Sequence, residues 1–310
     1  MQTNTFTFKS SDEKNIFSHQ WQPDEKTNIK AVVQIAHGMA EHSARYERFA
    51  KHLTDNNFGV YANDHRGHGK TAGTIENLGY FADSDGWDLV VNDMALLTAV
   101  IKNNHPETPV FLLGHSMGSF LSRDFMFSHP NLVNGVILSA TACDPGLLGN
   151  VGVVIAKLAS IFQGKKNLSP MLDKLSFGNF NKAFKPNRTD FDWLSRDNAE
   201  VDKYINDPFC GTIFTSGFFS DLLKGIKKIN YKANIEIIPK DLPIYLLAGS
   251  MDPVGDFSKG VKKVFKAYED TGIKDLSLKF YEDSRHEILN EVNRKEVYKD
   301  IIDWLEQHLP

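Results

Sequence analysis

Between residues 30 and 140, short apolar runs alternate with segments of helical period. Residues 30–36, 59–62, 110–113 and 135–138 read as buried strands, while 43–56, 87–103 and 117 to about 127 read as helices. Strand, helix and strand repeated in this way require crossovers, so the sheet must be mostly parallel and covered by helices on both faces. Upstream, residues 5–10 and 15–22 alternate and read as an antiparallel hairpin at one sheet edge. The rhythm stops after Cys143 and resumes with a strand at 242–248, a helix at about 257–268, a strand at 276–281 and a helix at 294–309. Residues 1–143 and 240–310 are therefore expected to form one α/β core, with 144–239 inserted as a mainly helical cap. A chain of 310 residues has room for both.

One junction carries chemistry. Gly114-His115-Ser116-Met117-Gly118 stands between the 110–113 run and the following helix. A chain turning sharply from strand to helix leaves no room for side chains two residues either side of the bend, and glycines stand at both places. Ser116 is left at the tip, with free N–H groups and the positive end of a helix dipole behind it. A serine hydroxyl at neutral pH needs a base, and the base needs an orienting acid. In a sheet of this kind the order along the chain is serine, acid, histidine. Asp252 follows the 242–248 strand, and His286 follows the 276–281 strand. Asp252 could instead be a turn cap before Pro253, with Asp144 as the other candidate acid. His129 and His308 lie within helices and do not suit the base. A tetrahedral intermediate also needs two N–H donors, and the amides of Met117 and Met39 are expected to supply them. Gly38 lets the second loop turn inward, and Gly38 and His115 are expected beside the substrate.

His37, His42, His65, His68 and His115 all fall in loops before or at the serine, so a metal has to be considered. No His-x-x-x-His pair or Cys-x-x-Cys accompanies them, and the serine chemistry needs neither metal nor cofactor. The 64–71 loop is read as bracing the floor of the site through Asp64 and Arg66. A net charge of −4 argues against a nucleic-acid partner. Only Cys143 and Cys210 are present, and the N-terminus lacks the basic and apolar regions of a secretory signal, so a reducing, cytoplasmic setting is expected. No window approaches the ~18–20 apolar residues of a membrane span.

His37-Gly38-Met39-Ala40-Glu41-His42-Ser43 with Arg45-Tyr46, Asp64-His65-Arg66-Gly67-His68-Gly69, the Ser116 pentapeptide, Gly249-Ser250-Met251-Asp252-Pro253-Val254 and His286-Glu287 together resemble the monoacylglycerol lipase and lysophospholipase group of α/β-hydrolases. The match spans both core halves. It implies the α/β-hydrolase fold and a serine hydrolase cleaving carboxylic esters of lipid-like substrates, with Ser116, Asp252 and His286 as triad and Met39 and Met117 as oxyanion donors. Thioesterase, amidase or aminopeptidase and acyltransferase chemistry use the same triad, and a non-catalytic ligand-binding protein on this fold is the alternative from another class. The cap resembles the group weakly, through Ser195-Arg196-Asp197 to Asp207-Pro208. Within it, residues 146–162 form an apolar helix-like stretch that either packs on the core or touches a membrane surface. A polar and aromatic section follows at 167–209, then a helix at 212–231. Phe209, Phe214, Phe218 and Phe219 are candidates to line an acyl pocket, with packing inside the cap as the alternative.

Overall fold

A computed structural model of the chain describes residues 1–24, 29–144, 155, 160 and 164–310. Eight strands form one sheet: β1 (Gln2–Lys9), β2 (Asn15–Gln22), β3 (Ala31–Ala36), β4 (Phe58–Asn63), β5 (Val110–His115), β6 (Gly135–Ser139), β7 (Ile244–Gly249) and β8 (Leu276–Tyr281). Their order is β1-β2-β4-β3-β5-β6-β7-β8. Pairing is antiparallel from β1 to β2 and from β2 to β4, and parallel everywhere else. The hairpin and the parallel sheet are thus as the hydrophobic patterns indicate, and β1 reaches three residues further toward the N-terminus.

Consecutive strand residues serve opposite faces. Val32, Leu112, Val136 and Leu246 join one core with α3 (Gly86–Asn104), α4 (Met117–Ser128) and α9 (Lys259–Asp270). Val33, Phe111, Ile137 and Leu247 join the other with α1 (Glu47–Asp55) and α10 (Arg294–Gln307). Both faces being buried explains why these strands read as unbroken apolar runs. The 64–71 segment ends in a single helical turn, α2 (Gly69–Ala72).

A long segment connects β6 to β7. Its described helices are α5 (Pro170–Phe177), α6 (Asn198–Asn206), α7 (Ser216–Ile229) and α8 (Lys232–Ile237). The sequence pattern left 167–209 without elements. Local chemistry starts two of them: Pro170 stands at the first turn of α5, and the Asp197 carboxylate accepts the Ala199 N–H at 3.1 Å to cap α6. The helix expected from 212 begins at Ser216, where the Thr215 hydroxyl takes the Phe218 N–H at 3.2 Å. The apolar stretch 146–162 lies outside the described residues except for Ile155 and Ser160. No helix among the described residues is long and apolar enough to cross a membrane.

Candidate active site

Ser116 sits at the carboxyl end of β5 with φ 53° and ψ −120°, a conformation that costs a non-glycine residue on the order of 1–3 kcal/mol. The surroundings fix it there. Its N–H donates to the Ser139 carbonyl at 2.9 Å, and its own carbonyl accepts the Ser119 N–H at 2.8 Å and the Ser119 hydroxyl at 2.6 Å. A Cβ on Gly118 would overlap the Ala36 and His37 carbonyls, and one on Gly114 would overlap the Gly118 carbonyl and Ser122 Oγ. The two glycines let α4 and β3 close on the bend.

Asp252 and His286 come together from the loops after β7 and β8. The Asp252 carboxylate is fully buried, and its Oδ1 lies 3.0 Å from His286 Nδ1. The same oxygen accepts the Val254 N–H at 2.9 Å, so Asp252 is a turn cap and the histidine's partner at once. It is Asp252, not Asp144, that His286 meets. The segment between β6 and β7 holds His286 from the other side: the His286 N–H donates to the Trp193 carbonyl at 3.3 Å, and the Glu287 N–H donates to the Leu194 carbonyl at 2.7 Å. The Trp193 ring lies 5.1 Å from the imidazole and the His115 ring 4.9 Å from it, with Ser116 adjacent in the chain. Burial alone would push the His286 pKa down, but Asp252, with Glu287 and Glu41 beyond it, outweighs burial, and the imidazole is held above its ordinary value.

The loop after β3 packs directly on this serine. A Cβ on Gly38 would stand 3.2 Å from Ser116 Cβ and 2.8 Å from Glu41 Oε1. The Gly38 N–H donates to Glu41 at 2.6 Å. Among the described residues, the Met39 and Met117 amides donate to no protein acceptor. Glu41, quoted above only as part of the His37–Ser43 motif, anchors this loop. It also accepts from Tyr46 Oη at 2.8 Å and Arg45 Nη1 at 2.7 Å, and Arg45 makes two bonds to Glu287 at 2.7 and 2.8 Å. Burial would raise the Glu41 pKa, yet the Arg45 guanidinium and the Gly38 N–H hold it at about 2. The buried chain Glu41–Arg45–Glu287 therefore ties the Gly38 loop to the residue next to His286. All three residues stand within the quoted motifs, and Glu41 and Arg45 have i,i+4 spacing, but neither sign joins them to Glu287.

The other candidates take different places. His115 faces inward, with Nδ1 3.1 Å from Ser139 Oγ, and lines a cavity of about 10 Å³ with Glu41, Arg45 and Glu287, room for one water molecule. Burial, with His286 nearby, lowers its pKa to about 4. Phe214, Phe218 and Phe219 are all buried in the core cluster, with Phe218 4.3 Å from Phe214 and 4.6 Å from Phe81 between ring centres. The His68 ring lies 5.0 Å from that of Phe214 and 6.0 Å from that of Phe218. Phe209 alone is half-exposed, its ring 6.0 Å from His42. His37, His65 and His68 form a buried group in which the His65 N–H donates to His37 Nε2 at 2.9 Å. Asp64 accepts from Ser43 and from the Lys70 N–H, and Arg66 pairs with Asp93 and Asp12.

Comparison with known proteins places the chain among enzymes. The family described as "Serine aminopeptidase, S33" matches residues 27–293. A monoglyceride lipase from Homo sapiens is 30% identical over 304 residues, covering 96% of this chain and 89% of that protein. A monoglyceride lipase homolog of Monkeypox virus is 28% identical, covering 95% of each. The crystal structure of a thermostable carboxyl esterase from Bacillus coagulans superposes with a TM-score of 0.91 at 29% identity, covering 100% of both chains.

Proposed function

The chain belongs to this serine aminopeptidase S33 family of α/β-hydrolases and is an ester-hydrolysing enzyme, and on that premise we propose that Ser116, His286 and Asp252 act together to cleave monoacylglycerol-like esters. Ser116 Oγ attacks the ester carbonyl as His286 Nε2 takes its proton. Asp252 holds the imidazole by Nδ1 and stabilises the imidazolium. The amides of Met39 and Met117 take the oxyanion. His286 then protonates the leaving alcohol, and water attacks the acyl-enzyme with the roles reversed. The observation that carries this reading is the buried 3.0 Å Asp252–His286 bond, with a serine held in a strained turn next to His115, whose ring lies 4.9 Å from that of His286.

The names of the relatives support a lipid ester, and so does the surface of the insertion, which we read as a cap on the core. Leu168, Met171 and Leu175 are 56%, 49% and 62% exposed, an apolar face suited to a lipid surface. The free thiols of Cys143 and Cys210 fit a reducing, cytoplasmic setting. The test is labelling of Ser116 by a fluorophosphonate, followed by kcat/KM on monoacylglycerols of increasing chain length and on aminoacyl amides. Labelling elsewhere, or undiminished ester cleavage by Ser116→Ala, refutes the mechanism. A preference for the amides refutes the substrate class alone.

A further inference from the structure

We propose that His42, Asp207 and Cys210 form a binding site for one divalent cation of the zinc class, joining the loop that carries Met39 to the insertion. The donor atoms of the three side chains lie within 4.8 Å of one another, and His42 Nε2 is 2.8 Å from Asp207 Oδ2. Ligands about 2.0–2.3 Å from a tetrahedral zinc stand roughly 3.3–3.7 Å apart, so small side-chain shifts bring all three onto one ion. Imidazole, carboxylate and thiolate are together a borderline-soft set, which excludes magnesium and calcium and leaves a fourth position for water.

The surroundings prepare the site. The Phe209 N–H donates to Asp207 Oδ1 at 2.9 Å, which turns Oδ2 toward His42. The two segments are already joined, the Gly211 N–H donating to the Ala40 carbonyl at 3.0 Å. Cys210 is 8% exposed, while Asp207 and His42 remain half-buried and leave a path from solvent. Arg45 is the nearby cation that would repel a metal, but Glu41 and Glu287 both pair with it at 2.7 Å. With Asp207 added, the local balance is one positive charge against three negative. On binding, the thiol proton passes to solvent and the sulfur bonds the metal. The imidazole keeps one proton, on Nδ1, as Nε2 becomes a ligand.

Cobalt(II) titration of the whole protein, reduced with a phosphine, reads the site directly and independently of ester hydrolysis. The expected result is a thiolate-to-cobalt charge-transfer band that saturates at one equivalent and is abolished by stoichiometric zinc. Cys143→Ser keeps the band and Cys210→Ser loses it. Asp207→Asn weakens cobalt affinity by about 100-fold, the upper end of what even outer-shell partners contribute. The wild-type spectrum decides even if a variant folds poorly: no band at saturating cobalt overturns the proposal. So does a band that survives in Cys210→Ser.

Discussion

His286 lies between two opposed effects, burial that disfavours its charged form and the carboxylates of Asp252, Glu287 and Glu41 that together favour it, and the second prevails. As the proposed base it works only when neutral, so kcat/KM should climb with pH through a pKa above the ordinary imidazole value. Asp252→Asn removes the favouring charge. The acid limb should then move to lower pH while kcat falls by about 10⁴. A pH–rate profile that keeps its wild-type limb would remove Asp252 from this role. Glu41 offers a second test. Its carboxylate gathers the Gly38 N–H, Tyr46 and Arg45 in a buried place. Glu41→Ala should cost about 3 kcal/mol in chemical denaturation, because Arg45 loses one of its two partners. It should also lower kcat by up to ~10² with little change in KM, since the Met39 amide loses its support. Wild-type values of both would show the loop to be held by other contacts. At this scale Ser116, Asp252 and His286 were legible because each follows a strand end in a motif of its own. Glu41 was not marked out, since its importance comes from Arg45 and from Glu287, 242 residues beyond Arg45.

Among the elements, the junction of β5 with α4 shows how closely composition follows packing. Gly118 faces the Ala36 carbonyl at the end of β3, a backbone atom that cannot move aside. Gly118→Ala should therefore destabilise the protein by at least the ~1–3 kcal/mol of ordinary overpacking, visible as a lower melting temperature or lost soluble yield. A Gly118→Ala protein that melts like the wild type would mean that α4 can retreat from β3. Strands and long core helices were legible because two-sided burial and helical period leave plain patterns. Between β6 and β7, α5 begins at Pro170 and α6 follows its cap Asp197, single-residue signals inside a polar section, and no period announces them. The phenylalanines of α7 illustrate the same limit. Sequence made them apolar, but only the fold packed Phe218 against Phe81 in the core.

Over the whole molecule, four buried histidines make stability depend on pH. Burial lowers the pKa of His37 and of His65, that of His68 to about 3, and that of His115 to about 4. Each therefore takes up its proton at a lower pH in the folded protein than in the unfolded chain. The unfolded state then binds more protons, so stability falls as pH drops below about 6.5, by up to ~1.4 kcal/mol per pH unit for each histidine. His286 has the opposite sign: its raised pKa contributes stability below the unfolded value, lost as pH rises through the folded one. Urea midpoints at pH 7 and pH 5 should show a marked loss at pH 5, and equal midpoints would contradict the neutral, buried assignment. What the sequence determined by itself was the α/β order, the position of the sharp turn at Ser116 and the choice of polar residues at the strand ends. These follow from local periodicity and from residues that a tight turn requires. Tertiary structure alone decided that Asp252 meets His286, that the Trp193 and Leu194 carbonyls hold the loop of His286, and that three phenylalanines serve the core. Such pairings depend on where crossovers of many residues bring the chain back together, and no local spacing encodes that.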